Sequence, residues 1–239
     1  MPEFIKPSVI ISDIPEILKG LPVTLEIAFI SMLFSLILGF AVAIIKIRRI
    51  PLLLQISEFY VSFMRGTPIL LQLYLSYYGI PVLLQYYNYF NGTNVQISTS
   101  ANIVFVLIAF ALNEGAYASE NIRAALESVD KGQKEAALSI GLSEMQSFWK
   151  IILPEAMIVA LPSLGNQFIG LIKSTSLAFV CAVIDMTAAG QLVASRTLRF
   201  FEMYIALSFI YWIITLFLSW FFRAMEQYLK KNERVRKAI

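Results

Sequence analysis

The chain has 239 residues, of which 58% are hydrophobic and 15% charged; its mean hydropathy is +0.72 and its formal net charge is +3. A soluble domain carries about 25% charged residues, so this chain cannot cover a globular surface in water, and lipid is the expected solvent. It has no histidine and one cysteine, Cys181, which excludes a histidine general base, a Cys/His zinc site and an intrachain disulfide.

Residues 1–21 carry Glu3, Asp13 and Glu16 and show no cleavable signal pattern; the expectation is a short amphipathic arm on the outer membrane surface. A spanning helix needs about 20 mainly apolar residues. Five segments meet that need, giving an all-α membrane protein. The first, 22–46, starts with Pro22, tolerated in a first turn, and ends at Lys46-Ile47-Arg48-Arg49. The second, 56–84, is broken by Arg65-Gly66-Thr67-Pro68, where Pro68 has no N–H for the carbonyl of Met64; a gate-side kink and a static kink satisfied by neighbours are both open. Its outer half and the following loop hold Tyr74, Tyr77, Tyr78, Tyr86, Tyr87, Tyr89 and Phe90, which an interfacial aromatic belt explains. The third span is 102–123 and the fourth 156–172. Residues 177–184 are apolar but too short to cross, and a re-entrant or interfacial piece is expected, with Cys181 a buried small hydrophobe. The fifth span, 203–222, is closed by Arg223, leaving 223–239 as a basic tail.

The basic residues orient these spans. Lys46, Arg48 and Arg49 follow the first, Arg123, Lys131, Lys134 and Lys150 the third, and Arg223, Lys230, Lys231, Arg234, Arg236 and Lys237 the fifth. Residues 81–101 have no Lys or Arg. The alternation fits an outside N-terminus and a cytoplasmic C-terminus, with 130–154 on the cytoplasmic side between spans three and four.

Local rules make 130–154 two short helices. Asp130 caps the first, with Gln133 placed to reach back to it; Ser143 and Gln146 form a capping box for the second. Gly141 suits the left-handed residue that ends the first helix, and Pro154 marks the next break. Met145, Phe148, Trp149, Ile151 and Ile152 give the second helix an apolar face. Ala136 and Ala137 keep the first approachable, a shape suited to a groove on a partner; an ordinary interfacial loop is the alternative.

Glu135-Ala136-Ala137, then Gly141, then Ile151-Ile152-Leu153-Pro154 resembles in spacing the EAA motif of bacterial ABC importer permeases. Gly20-Leu21-Pro22-Val23-Thr24-Leu25, Arg65 to Gln72, Ala116-Tyr117-Ala118-Ser119-Glu120 and Leu161 to Gln167 are similar to the polar amino acid group of that family, the histidine, glutamine and cystine type. Lys173-Ser174-Thr175-Ser176-Leu177 extends the resemblance, with Ser174 where the family usually has an aspartate. The resemblance implies a permease subunit in a bacterial cell membrane, paired with an identical or paralogous permease. It implies two ATPase subunits that hold ATP and magnesium and receive the coupling segment (Glu135, Ala136, Ala137, Gly141, Leu153, Pro154), and an extracytoplasmic solute-binding protein. No cofactor on this chain and no nucleic acid is implied.

Polar groups at membrane depth are costly and face a cavity or a neighbouring helix. Span three carries Asn113, Glu114, Tyr117, Glu120 and Asn121, with Asn113, Tyr117 and Glu120 on one face. Span four carries Asn166 and Gln167 between Pro162 and Gly170, followed by Lys173 and Ser174. Asn113, Glu114, Tyr117, Glu120, Asn166, Gln167, Lys173 and Ser174 are therefore the candidate solute path. Glu120 with Arg123 has a structural alternative, and Lys173 has one in snorkelling. An intramembrane enzyme lacks a nucleophile and base. Gly165 and Gly170 are spaced like P-loop glycines, but Leu171 stands where lysine should follow. A dimeric channel or an ATP-independent transporter for a small polar solute remains the alternative function.

Overall fold

The computed structural model describes residues 7–96 and 102–237. The first six residues of the expected arm, residues 97–101, and the last two of the basic tail lie outside the described residues. Every regular element among them is helical: α1 (Pro7–Leu18), α2 (Leu21–Arg48), α3 (Leu53–Gly66), α4 (Ile69–Asn91), α5 (Asn102–Glu127), α6 (Lys131–Ser139), α7 (Glu144–Ser147), α8 (Leu153–Ser174), α9 (Met186–Thr197) and α10 (Phe200–Lys237). A π turn (Phe148–Ile152) joins α7 to α8, and a 3₁₀ turn (Thr175–Cys181) continues α8.

Four continuous helical stretches are long and apolar enough to cross a membrane: Leu21–Arg48, Asn102–Glu127, Glu144–Cys181 and Phe200–Lys231. The pair α3 and α4 supplies a fifth if taken as one span, but it bends by 109° at the break. The expected kink in 56–84 is thus a right-angled turn. The reason is local. Pro68 has no amide hydrogen, so the Met64 carbonyl turns instead to side chains, accepting from Gln72 Nε2 at 3.0 Å and Asn113 Nδ2 at 3.1 Å. Gln72 Nε2 also donates to the Thr67 hydroxyl at 2.8 Å.

Helices in lipid gain little from the hydrophobic effect, so close packing of small residues carries their association. A side chain at Gly39 of α2 would come within 2.8 Å of the Ala118 methyl on α5. The small residues Gly115, Ala116, Ala118 and Ser119 are buried, which lets α2 and α5 pack closely. Ile27, Leu73, Phe110, Phe168, Leu171 and Ile172 fill the core they create, with α4 and α8 closing it.

The 177–184 segment packs in this core: Ala178 and Cys181 are fully buried beside Leu73 and Phe110. Phe179 and Ile184 of the same segment are exposed. Ala182 then takes a left-handed conformation (φ 56°) and turns the chain into α9, a helix the apolar pattern did not reveal. The expected arm is α1, docked through Ile17 on a cluster of Met186, Ala194, Met203 and Leu207 from α9 and α10. The junction is tight: a side chain at Gly20 would overlap the carbonyl of Asp185, while Thr24 Oγ1 accepts the Met186 N–H at 3.1 Å.

The expected break at Pro154 is absent. Pro154 sits in the first turn of α8, and the wider π turn before it gives its ring room. Arg223 likewise ends only the apolar run, since α10 continues unbroken.

Candidate functional site

Two polar faces divide α5. Asn113, Tyr117 and Glu120 share one face, as their spacing requires, and it turns toward α2 and α3. Asn113 is buried at the break between α3 and α4, donating to Met64 O and to Gln72 Oε1 at 3.0 Å. Tyr117 lies under the Arg65 guanidinium, 5.3 Å from ring centroid to carbon, a cation–π geometry. Tyr60 of α3 fastens the same corner by donating to Leu112 O at 2.5 Å. Glu120 accepts from Lys46 of α2, and from Arg123 at 2.8 Å and 3.2 Å; Arg123 also pairs with Glu127 at 2.7 Å. Asn113, Tyr117 and Glu120 thus each bind a neighbouring helix, while Arg123 and Glu127 pair within α5.

The other face of α5 meets α8. Gln167 Nε2 donates to the Glu114 carbonyl and to Glu114 Oε2, each at 2.7 Å, while Gln167 Oε1 accepts from Asn121 Nδ2 at 3.0 Å. The result is a three-residue chain of hydrogen bonds, half-buried in an apolar bundle. Beyond it, Ser163, Asn166, Gly170 and Lys173 follow one another at helical spacing along α8. Ser163, Asn166 and Lys173 are exposed, a side chain at Gly170 would meet nothing within 4 Å, and neither Asn166 nor Lys173 has a side-chain partner among the described residues. Ser174 is half-buried at the end of the helix. The structure therefore places Asn166 and Lys173 on an exposed polar seam along α8, adjacent in sequence to the half-buried Gln167–Glu114 pair, and sets Asn113, Tyr117 and Glu120 on the other face of α5.

The 130–154 segment forms a projecting knob. Asp130 caps α6 through Gly132 N at 2.6 Å, without the return bond expected from Gln133. The Ser143–Gln146 capping box is complete, at 3.2 Å and 2.9 Å. Gly141 sits at φ +85° in open space, where a Cβ would cost roughly 1–2 kcal/mol. Glu135 and Ala136 are exposed, but Ala137 is 2% exposed, packed at the base of the knob. Leu138, Ile140, Met145 and Trp149 project outward, Ile140 at 77% exposure. Leu153 and Pro154 are half-buried at the foot of α8.

Gln72 and Lys46 are partners of candidate residues, bonding to Asn113 and Glu120, that sequence reasoning did not single out. Gln72 had one usable signal, a lone amide four residues after a proline that strips a carbonyl of its donor.

A family model described as the inner membrane component of binding-protein-dependent transport systems matches residues 35–231. The probable amino-acid permease protein YxeN of Bacillus subtilis is 43% identical over 209 residues, covering 87% of this chain and 89% of that one. The L-cystine transport system permease protein TcyL of the same organism is 43% identical over 222 residues, covering 92% and 90%. A crystal structure of an amino acid ABC transporter with histidines superposes with a TM-score of 0.79 at 31% identity, covering 93% of this chain and 98% of that one.

Proposed function

The chain belongs to the family of inner membrane components of binding-protein-dependent transport systems, and on that footing we propose that it is the permease subunit of an ATP-driven importer for a polar amino acid, of the cystine type. The observation that carries this reading is the exposed polar seam of Asn166 and Lys173 along α8, beside the half-buried Gln167–Glu114 pair, on an otherwise apolar bundle. Asn166 and Lys173 leave donors unused at membrane depth, where an unmet polar group is expensive. A passing zwitterion uses those donors and leaves again, so the cost is met transiently. Ser174 ends the seam. Asn113, Tyr117 and Glu120 support it by holding α2, α3 and α5 together.

The chain lies in the bacterial cell membrane with its N-terminus outside and its C-terminus cytoplasmic. A second permease, identical or paralogous, completes the pathway; a solute-binding protein delivers the amino acid outside; two ATPase subunits work inside, with ATP and magnesium held there. The knob of α6 and α7 docks on an ATPase. Support for docking comes from Leu138, Ile140, Met145 and Trp149, which stand exposed on this segment. Glu135, Ala136 and Gly141 shape the contact, while Ala137, Leu153 and Pro154 fix the knob to the bundle.

Proteoliposomes carrying the chain with its ATPase subunits and binding protein test this. ATP on the cytoplasmic side should drive accumulation of labelled L-cystine or another polar amino acid. Equal uptake without ATP would favour a channel or an ATP-independent carrier.

A further inference from the structure

The end of α8, the start of α9 and the first half of α10 enclose a groove of about 530 Å³ that includes Lys173, Ser176, Thr187, Tyr204, Ser208 and Tyr211. Its chemistry is divided. On one wall stands Lys173, exposed and without an ion pair among the described residues. On another, the hydroxyls of Thr187 and Tyr211 lie 3.3 Å apart. One of the two donates to the other, which leaves oxygen lone pairs open to an incoming cation. Next to this pair is Asp185, at 0% exposure, whose Oδ1 accepts from Ala188 N at 2.9 Å while Oδ2 has no partner among the described residues. Tyr211 lies within electrostatic reach of that carboxylate. Ser176 and Ser208 spend their protons on the carbonyls of Lys173 and Tyr204, each at 2.7 Å, so their oxygens too are acceptors toward the groove. Tyr204, which accepts from Gln191 at 3.4 Å, keeps its own proton to donate.

We propose that this groove is a binding station for the α-amino-acid zwitterion, with Lys173 taking the carboxylate and the Thr187–Tyr211 hydroxyl pair, backed by Asp185, taking the ammonium. A lone lysine suits any anion, and a hydroxyl pair with a buried aspartate behind it suits any cation. Lys173 and the Thr187–Tyr211 pair in the lining of one groove, with Asp185 buried behind the pair, match a molecule that carries both charges a few bonds apart. Lys173 also belongs to the exposed polar row along α8, so a solute leaving this station meets Asn166 next. The inference rests on the amino-acid reading above and adds the position and polarity of the solute along α8.

The assembled transporter in lipid nanodiscs, without its binding protein, is titrated with labelled L-cystine, L-arginine and L-glutamine. The one that binds is then competed with its decarboxylated amine and its des-amino acid. Lys173→Met should weaken binding about 10-fold or more, the loss of a charged hydrogen bond, and should abolish competition by the des-amino acid while sparing that by the amine. Lys173→Arg should restore both. Thr187→Val with Tyr211→Phe should do the reverse, losing competition by the amine. Parental affinity in Lys173→Met, or loss of both analogues together in either variant, would overturn the station while leaving the amino-acid reading intact. Failure of the parent to bind any of the three would count against that reading itself and remove the station with it.

Discussion

Gln167 closes on Glu114 twice, its amide nitrogen donating to the backbone carbonyl and to the carboxylate at 2.7 Å each. Asn121 of α5 completes the same chain by donating to Gln167 Oε1 at 3.0 Å. Removing the amide leaves a half-buried carboxylate without this donor, at a cost of about 1–3 kcal/mol. Gln167→Leu should therefore reduce uptake severely with assembly intact, and Glu114→Leu with Asn166→Leu should abolish it. Initial-rate uptake at matched membrane expression checks this; unchanged kinetics would remove the seam from the solute path.

The clamp on the 109° turn makes a different prediction. Asn113 and Gln72 both donate to Met64 O and bond to each other at 3.0 Å. Each substitution to Leu should destabilise the detergent-solubilised protein by about 1–3 kcal/mol. Because the pair shares one acceptor, the double variant should cost clearly less than the sum of the singles. Thermal unfolding midpoints of the four proteins measure the coupling, and strict additivity would mean that the two amides act independently.

At the junction of α1, α2 and α9, Gly20 leaves no room for a Cβ beside Asp185. Gly20→Ala should lower stability by about 1–3 kcal/mol through overpacking and loosen α9. Faster proteolysis after Arg196, in the last turn of α9, is the expected sign, whereas parental cleavage rates would show that the corner yields.

The knob separates surface from support. Ala136 and Ile140 are exposed while Ala137 is not. Ala136→Lys with Ile140→Asp should leave the chain folded and abolish uptake while the ATPase subunits still hydrolyse ATP. Ala137→Leu should instead lower the amount of assembled protein. Full transport in the Ala136/Ile140 variant would argue against docking by this face.

What the sequence made legible follows the range of the forces involved. The apolar runs of α2, α5, α8 and α10 each lie within one stretch of chain, and so do the Ser143–Gln146 box and the left-handed Gly141. The face shared by Asn113, Tyr117 and Glu120 was also local, but which neighbour it meets was not. Their partners Met64, Arg65 and Lys46 lie 49, 52 and 74 residues away. Gln167 and Glu114 are separated by 53 positions, and nothing in either stretch announces the pairing. The helix α9 escaped because its buried side, Met186, Thr187, Ala189, Gly190 and Ala194, holds one large apolar residue among small ones, too little to read as an apolar stripe. Its one signal was Asp185, a cap whose carboxylate accepts from Ala188 three residues on.

Coupling to an ATPase requires the knob to lie on the cytoplasmic side of the membrane. Ile140→Cys places a thiol at its most exposed apolar position, while the native Cys181 is fully buried and gives the parent as a blank. Intact cells are treated with a membrane-impermeant maleimide, before and after permeabilisation. Protection in intact cells and labelling only after permeabilisation is the predicted result; labelling of intact cells would put the knob outside, beyond reach of any ATPase, and contradict the account.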